Sequence, residues 1–286
     1  MTTHEQRRRA DALRALHSGD RPLVLPNVWN PIGARVLEAK GFPAVATASA
    51  AISASLGFED GERLRRSTMI EVVSRIARAI DVPLTADMES GYASTLGQLE
   101  ETTRALLDSG AVGMNIEDSL TEGEALRPVR EQAERIATVR AVATARAIPL
   151  VINARIDTFL VFGDSDVEQR IEEAVERATV YAEAGADCVY PIGPGDDQTL
   201  AALRARITSP INALATPNAV SLKTMASIGI NRVSFGPFIF RSCLRKFADI
   251  ASALARFEPY DCFGREVMTR TEAAAFLSDE REEPLS

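Results

Sequence analysis

Short apolar or β-branched runs alternate along the chain with longer stretches in which apolar residues recur every three or four positions. The short runs predict strands at 23–26, 44–47, 84–87, 112–116, 150–153, 187–190, 211–214 and 232–235, since a strand buried on both faces reads as a brief continuous apolar run. The longer stretches predict the helices between them. Over 165–181, Val167, Ile171, Ala174, Val175 and Ala178 fall on one helical face, with Ser165 and Glu168 spaced as a capping box. Thr95 and Gln98 repeat that spacing. Gly41, Gly110, Gly185 and Gly229 each separate a helical stretch from the next apolar run, where glycine can take the left-handed conformation that ends a helix.

Eight strand–helix units result, repeating every ~30 residues, the length of a strand, loop, helix and return. The pattern predicts an α/β chain folded as a closed (β/α)8 TIM-type barrel, for which about 250 residues is usual. An open doubly wound sheet is the alternative. It lacks support at the first strand, which leads into PNVWNPIG and not into a glycine-rich dinucleotide turn. Gly193, Pro194 and Gly195 could cradle a phosphate, but Asp196 and Asp197 put negative charge at the next helix start, so a plain turn is expected there. No composition shift marks a boundary. Residues 1–286 are expected to form one barrel domain, with a helix before the first strand and a C-terminal extension over 259–286 that holds one short helix near 271–277.

Composition narrows the partners. The 286 residues carry 40 Asp plus Glu against 32 Lys plus Arg, a net charge of −8. Apart from Arg7, Arg8 and Arg9 there is no dense basic run, which argues against nucleic acid. Both histidines, His4 and His17, precede the first strand, leaving no imidazole for zinc ligation or a Ser-His-Asp triad. Cys188, Cys243 and Cys262 show no paired spacing and suggest reduced thiols in a cytoplasmic protein. The N-terminal stretch has no apolar export segment, and the most apolar window, 44–58, is broken by Thr47, Ser49, Ser53 and Ser55. No membrane partner is expected.

The chemistry of such a barrel sits where its strands end, and carboxylates collect there. Asp87 and Glu89 are two apart at the end of the third strand and are expected to point the same way. Glu117 and Asp118 end the fourth, Asn153, Arg155 and Asp157 share a face of the fifth, and Glu59 and Asp60 follow the second. Acids facing one another repel unless a cation sits among them, and Mg2+ or Mn2+ suits an all-oxygen set. Arg155 would offer a fork for a substrate carboxylate. Any single acid could instead cap a helix or pair with arginine, a role that fits Asp118 and Asp157 best. Trp29 and Cys188 are expected to be core residues.

The segments PNVWNPIGARVLEAKGFPAVATASAAISASLGFEDGE, PLTADMESGY, VGMNIEDS, INARIDTF and GINRVSFGP, spread over roughly residues 20–245, resemble the isocitrate lyase / phosphoenolpyruvate mutase superfamily. The resemblance implies a Mg2+-dependent (β/α)8 barrel acting on small 2-oxo or 2-hydroxy acids through an enolate, and a homo-oligomer, tetramer or dimer, in which a helix is exchanged between subunits. It implies Asp87 as a metal ligand and Glu89, Asp60 and Glu117 as holders of metal-bound water. Arg155 would grip the substrate carboxylate, and the backbone at Ala48, Ser49 and Ala50 would receive the oxyanion. Arg155 and Asp60 are thus the expected catalytic groups. The family's lyases carry a Lys-Lys-Cys-Gly loop after the Glu-Asp pair, whereas residues 119–128 read SLTEGEALRP, with neither lysine nor cysteine. The longer gating loop of the mutase and phosphonopyruvate hydrolase branches is also not evident, and Ala48 stands where the second-strand serine is usual.

Loss of that loop removes the usual lyase acid but not a reaction that starts without one. The expected function is a Mg2+-dependent lyase or decarboxylase that cleaves a C–C bond beside the carbonyl of a small 2-oxo or 2-hydroxy (di)carboxylic acid. A mutase- or hydrolase-like P–C bond enzyme and a non-catalytic 2-oxo acid binding protein are the alternatives.

Overall fold

The computed structural model describes residues 1–120, 125–163, 166–258 and 267–277. Its strands are β1 (Leu23–Leu25), β2 (Asn27–Val28), β3 (Val45–Thr47), β4 (Leu84–Asp87), β5 (Gly113–Glu117), β6 (Val151–Ile156), β7 (Cys188–Pro191), β8 (Asn212–Leu214) and β9 (Arg232–Ser234). They match the eight predicted runs, except that the first is divided at Pro26, which has no N–H to give the ladder. All pairings between strands are parallel. One sheet runs β2-β3-β4-β5-β6-β7 and the other β1-β9-β8. The chain joins them where β1 continues into β2. On the other side a parallel bridge between Val189 and Ile211, with Val189 N donating to Pro210 O at 2.9 Å, ties β7 to β8. The strands therefore form a ring.

Helices α1 (Thr3–Ala15), α2 (Pro31–Ala39), α3 (Ser49–Ser55), α4 (Arg66–Ala79), α5 (Leu96–Ser109), α6 (Val129–Ala145), α7 (Thr158–Val161), α8 (Val167–Glu183), α9 (Asp197–Arg206), α10 (Leu222–Ile228), α11 (Phe238–Ala255) and α12 (Arg270–Ala275) alternate with the strands or flank them. The core lies between the ring and these helices. Met114, Ile116, Ile152 and Ala154 are buried on the strands, and Leu106, Val139 and Ala178 on the helices, which is why the strands read as apolar runs. No helix among the described residues is long and apolar enough to cross a membrane.

Local signals fare unevenly. Gly41, Gly110, Gly185 and Gly229 all take positive φ, between +81° and +109°, as their positions before strands require. Thr95 Oγ1 accepts from Gln98 N at 3.3 Å, but Gln98 Oε1 accepts from Ser94 N and Oγ, so the expected box is half formed. Ser165 lies outside the described residues, and Asp166 caps α8. Asp196 accepts from Thr199 N at 2.8 Å and occupies the start of α9 with the chain's own carboxylate, the plain turn expected after Gly193. In the extension, α12 falls close to the predicted helix, while 259–266 and 278–286, with Cys262, lie outside the described residues. Cys188 is fully buried, and Trp29 packs edge-on against Phe240 with ring centroids 5.1 Å apart.

His17 is buried, with Nδ1 donating to Leu13 O at 2.8 Å. Burial, helped by the Arg232 guanidinium, lowers its pKa from 6.5 to about 4. The unfolded chain protonates this ring near pH 6.5 and the folded one does not, so stability is present in full above pH 6.5 and is lost as pH falls toward 4. At ~1.4 kcal/mol for each pH unit the loss amounts to about 3 kcal/mol. Urea unfolding at pH 7 and pH 4 is expected to show a smaller loss in His17→Gln than in the wild type; equal losses would exclude His17 as the source.

Candidate active site

The strand register sets the site. Glu117 on β5 pairs directly with Arg155 on β6, and the side chains meet, Arg155 Nη1 lying 2.5 Å from Glu117 Oε2. On its other edge the guanidinium donates to both Asp157 oxygens, Nε at 2.6 Å and Nη2 at 2.9 Å. Arg155 is thus held by two of the chain's own carboxylates. Asp157 is held in turn, because its N–H donates to Asp118 Oδ1 at 2.9 Å. Asp118 is fully buried and also accepts from Tyr181 OH at 2.8 Å and Arg177 Nη1 at 3.1 Å. It anchors the bed beneath the arginine.

Asp87 ends β4. Its Oδ2 accepts from Ser49 Oγ at 2.9 Å and Ser49 N at 3.1 Å, and its own N–H donates to Thr47 Oγ1. Ala48 N donates to Val28 O. Of the three backbone amides expected to face an oxyanion, those of Ala48 and Ser49 are therefore already engaged, while Ala50 lies in the first turn of α3.

Glu89 departs from the expected alternation. The strand ends at Asp87, and Glu89 itself has φ +50°, so being two residues along does not make it point with Asp87. It is tied to the loop after α3 instead, accepting from Glu62 N at 2.5 Å and Tyr92 OH at 2.7 Å. Glu62 accepts from Tyr92 N and Ser90 Oγ, each at 2.7 Å. Glu62, Glu89 and Tyr92 all have positive φ without being glycine, a conformation costing on the order of 1–3 kcal/mol each that clusters at functional sites. Their mutual bonds hold the loop bearing Asp60 against the end of β4.

The carboxylates oppose one another's charge. Burial raises Glu89 to about 7 against the pull of the Tyr92 hydrogen bond, and the Asp87 and Asp60 charges add to the rise. Partial burial and then Asp87 raise Asp60. Glu117 is raised by burial, which Arg155 offsets in part. Among the described residues no three such side chains stand together as a formed metal site. The donor chemistry nonetheless fits one. It is all oxygen, and added positive charge would relieve the mutual repulsion.

A cavity of about 270 Å³ opens here, lined among others by Asp60, Glu89, Glu117 and Arg155. Two larger hollows lie away from the strand ends, around Arg140 and around Arg9. Glu62 and Tyr92 were not singled out from the sequence, and neither was Tyr190, which is buried on β7 with its hydroxyl bonded to Ser234. Burial pushes Tyr190 up to about 12, with Arg155 and Asp87 among the charges acting on it. Tyr190 lies two residues from Cys188 on β7, so alternation puts it on the same face as that buried thiol.

A family model described as phosphoenolpyruvate phosphomutase matches residues 13–255. The chain is 30% identical over 234 residues to a 2-methylisocitrate lyase of Aeropyrum pernix, covering 78% of this chain and 72% of that protein. It is 32% identical over 210 residues to an oxaloacetate decarboxylase of Rhodopseudomonas palustris, covering 72% and 70%. A Burkholderia cenocepacia structure described as a phosphonomutase superimposes with a TM-score of 0.82 at 34% identity, covering 86% of this chain and 98% of the other. At 21% identity, a phosphonopyruvate hydrolase solved with oxalate and Mg2+ shares the fold, with a TM-score of 0.82 over 94% of each chain.

Removing the anchor carboxylate tests how the arginine is positioned. Asp118→Ala leaves Arg177 without its buried partner and is expected to cost about 3–5 kcal/mol. Urea unfolding checks this, and a cost below about 1 kcal/mol would show that Asp118 does not carry the bed of Arg155.

Proposed function

The chain belongs to the phosphoenolpyruvate mutase / isocitrate lyase superfamily, and within it we propose a Mg2+-dependent lyase that decarboxylates or cleaves a small 2-oxo dicarboxylic acid through an enolate. The observation that supports this most is Arg155 set among carboxylates at the strand ends, a single guanidinium beside an excess of acids. Asp87, one of whose carboxylate oxygens is engaged by Ser49, would be the ligand to the ion. Glu89, Glu117 and Asp60 would hold water around it. Bound Mg2+ supplies positive charge that polarises the 2-oxo group and stabilises an enolate.

The chain's own residues do the positioning. Asp157 would keep its two-point grip on Arg155, leaving Nη1, now on Glu117, to receive the substrate carboxylate, and Glu117 would then be free to help hold the ion's water. Such an exchange keeps the buried charges paired. With no lysine or cysteine in 119–128, decarboxylation is favoured over the lyase reaction because bond cleavage then needs no proton donor from the protein. The likeness to a structure described as a phosphonomutase supports P–C chemistry as the second reading.

The assembly reading rests on α11, which exposes Leu244, Phe247 and Leu254, by 52%, 69% and 40%, on a helix directed mostly to solvent. A second copy would cover them, giving a homo-oligomer, a tetramer or a dimer. Cys188 and Cys243 are free thiols, in keeping with a cytoplasmic setting.

Assays with Mg2+ on oxaloacetate, 2-methylisocitrate, dimethylmalate and phosphonopyruvate test the reaction, with turnover expected on oxaloacetate. Oxalate binding without turnover of any of them would favour a binding protein. By calorimetry, Asp87→Ala is expected to abolish Mg2+ binding, and Arg155→Ala to weaken oxalate by at least about 2 kcal/mol while affecting Mg2+ far less. Unchanged oxalate affinity in the Arg155 variant would remove it from the substrate site. Phe247→Glu is expected to lower the sedimenting mass; an unchanged mass would place the interface elsewhere.

A further inference from the structure

The cavity wall contributed by α7 and the loop after β5 is unlike the rest. Leu160 and Val161 of α7 and Leu120 line it, and Leu160 and Leu120 are 52% and 38% exposed. Apolar side chains therefore face a cavity otherwise bounded mainly by carboxylates. Among the described residues that line it Arg155 is the one cation, and both edges of its guanidinium are engaged by Glu117 and Asp157. Arg127, at the base of the same loop, pairs with Glu131 at 2.9 Å.

A substrate held by its 2-oxo acid end would thus direct its far group at a surface where the described residues offer no second cation to receive it. A phosphonate or a released carboxylate product would remain charged there and unpaired, at a cost. A carboxylate that leaves as carbon dioxide would lose its charge, and an apolar wall suits the neutral product better than the starting anion. Binding energy from the 2-oxo acid end can offset placing that carboxylate against leucine, so the wall favours the transition state over the ground state.

We propose that Leu120, Leu160 and Val161 form a leaving-group subsite for carbon dioxide, which makes decarboxylation of a 3-carboxy-2-oxo acid the reaction this cavity promotes and disfavours a substrate with a distal phosphonate. The inference rests on the proposed 2-oxo acid site and specifies its far end. In the step, the C3–C4 bond of oxaloacetate breaks, C4 departs as carbon dioxide, and the bonding pair forms the C2–C3 double bond as the carbonyl electrons move onto O2. The enolate then takes one proton from water at C3 and becomes pyruvate.

The test compares oxalate, which has no distal group, with phosphonopyruvate by calorimetry in Mg2+, using wild type and Leu160→Arg. Wild type is expected to bind oxalate and to bind phosphonopyruvate at least about tenfold more weakly. In Leu160→Arg the phosphonopyruvate affinity should rise by about tenfold or more, with oxalate affinity within about threefold of wild type as evidence of folding. The kcat for oxaloacetate should fall about tenfold or more while KM falls or holds, the signature of a better-bound ground state. Oxalate binding together with equally tight phosphonopyruvate binding by wild type, or an unchanged kcat in Leu160→Arg, would overturn the subsite alone. Failure of wild type to bind oxalate would overturn the 2-oxo acid site and the subsite with it.

Discussion

Glu117 and Arg155 stand opposite each other on neighbouring parallel strands, and the register of β5 against β6 allows their charges to meet at 2.5 Å. Taking either charge out of water alone would cost several kcal/mol. Paired, the two charges offset each other, and Asp157 closes the other edge of the guanidinium, so that with both carboxylates ionised the trio adds one negative charge to a mouth already in excess of acids. Its support runs through Asp118 to Tyr181 and Arg177 on α8, so a helix on the outside of the ring fixes an arginine at its mouth. A substrate anion that reaches that arginine competes with these partners for its five N–H groups. Of the two, Glu117 makes a single contact and Asp157 two, which makes Glu117 the natural one to leave. In the proposed function the arrival of a cation and the release of Glu117 are therefore linked.

A second constraint shapes the opposite side of the mouth. Glu62, Glu89 and Tyr92 each accept an unfavourable backbone conformation and repair it with hydrogen bonds to one another. The result ties the loop after α3 to the end of β4 and keeps Asp60 beside Glu89 in the cavity lining. Ser49 performs a similar service for Asp87 by fixing one carboxylate oxygen. These acids are placed by short local contacts, whereas Arg155 is placed by a chain of contacts across three elements.

Much of the fold was legible in the sequence because each signal was local. A continuous apolar run such as LVI at 150–152 can be buried on both faces as a parallel strand covered by helices, and Gly110 or Gly229 before such a run marks a helix end regardless of what packs nearby. Pro26 divided a strand that composition alone would leave whole. The site was legible by residue type and less so by partner. Spacing brought Asp87 and Glu89 to the same strand end, yet the positive φ at Glu89 sends its carboxylate to Tyr92 and Glu62. Sequence marked Arg155 as a fork for an incoming carboxylate and Asp157, on the same face, as an acid suited to capping a helix or pairing with arginine; the structure pairs the two with each other. Glu62 and Tyr92 carried no signal, since their roles come from a loop meeting a strand end 27 to 30 residues away.

Excess negative charge relieved by a divalent ion and one exchangeable arginine is the central claim, and a crystal structure with Mn2+ and oxalate tests it most directly. The account predicts an anomalous peak within the acid cluster, with Asp87 as a ligand, oxalate bridging the ion and Arg155, and Glu117 turned off the guanidinium. An ion bound elsewhere, or oxalate bound with the Glu117–Arg155 pair intact, would contradict it.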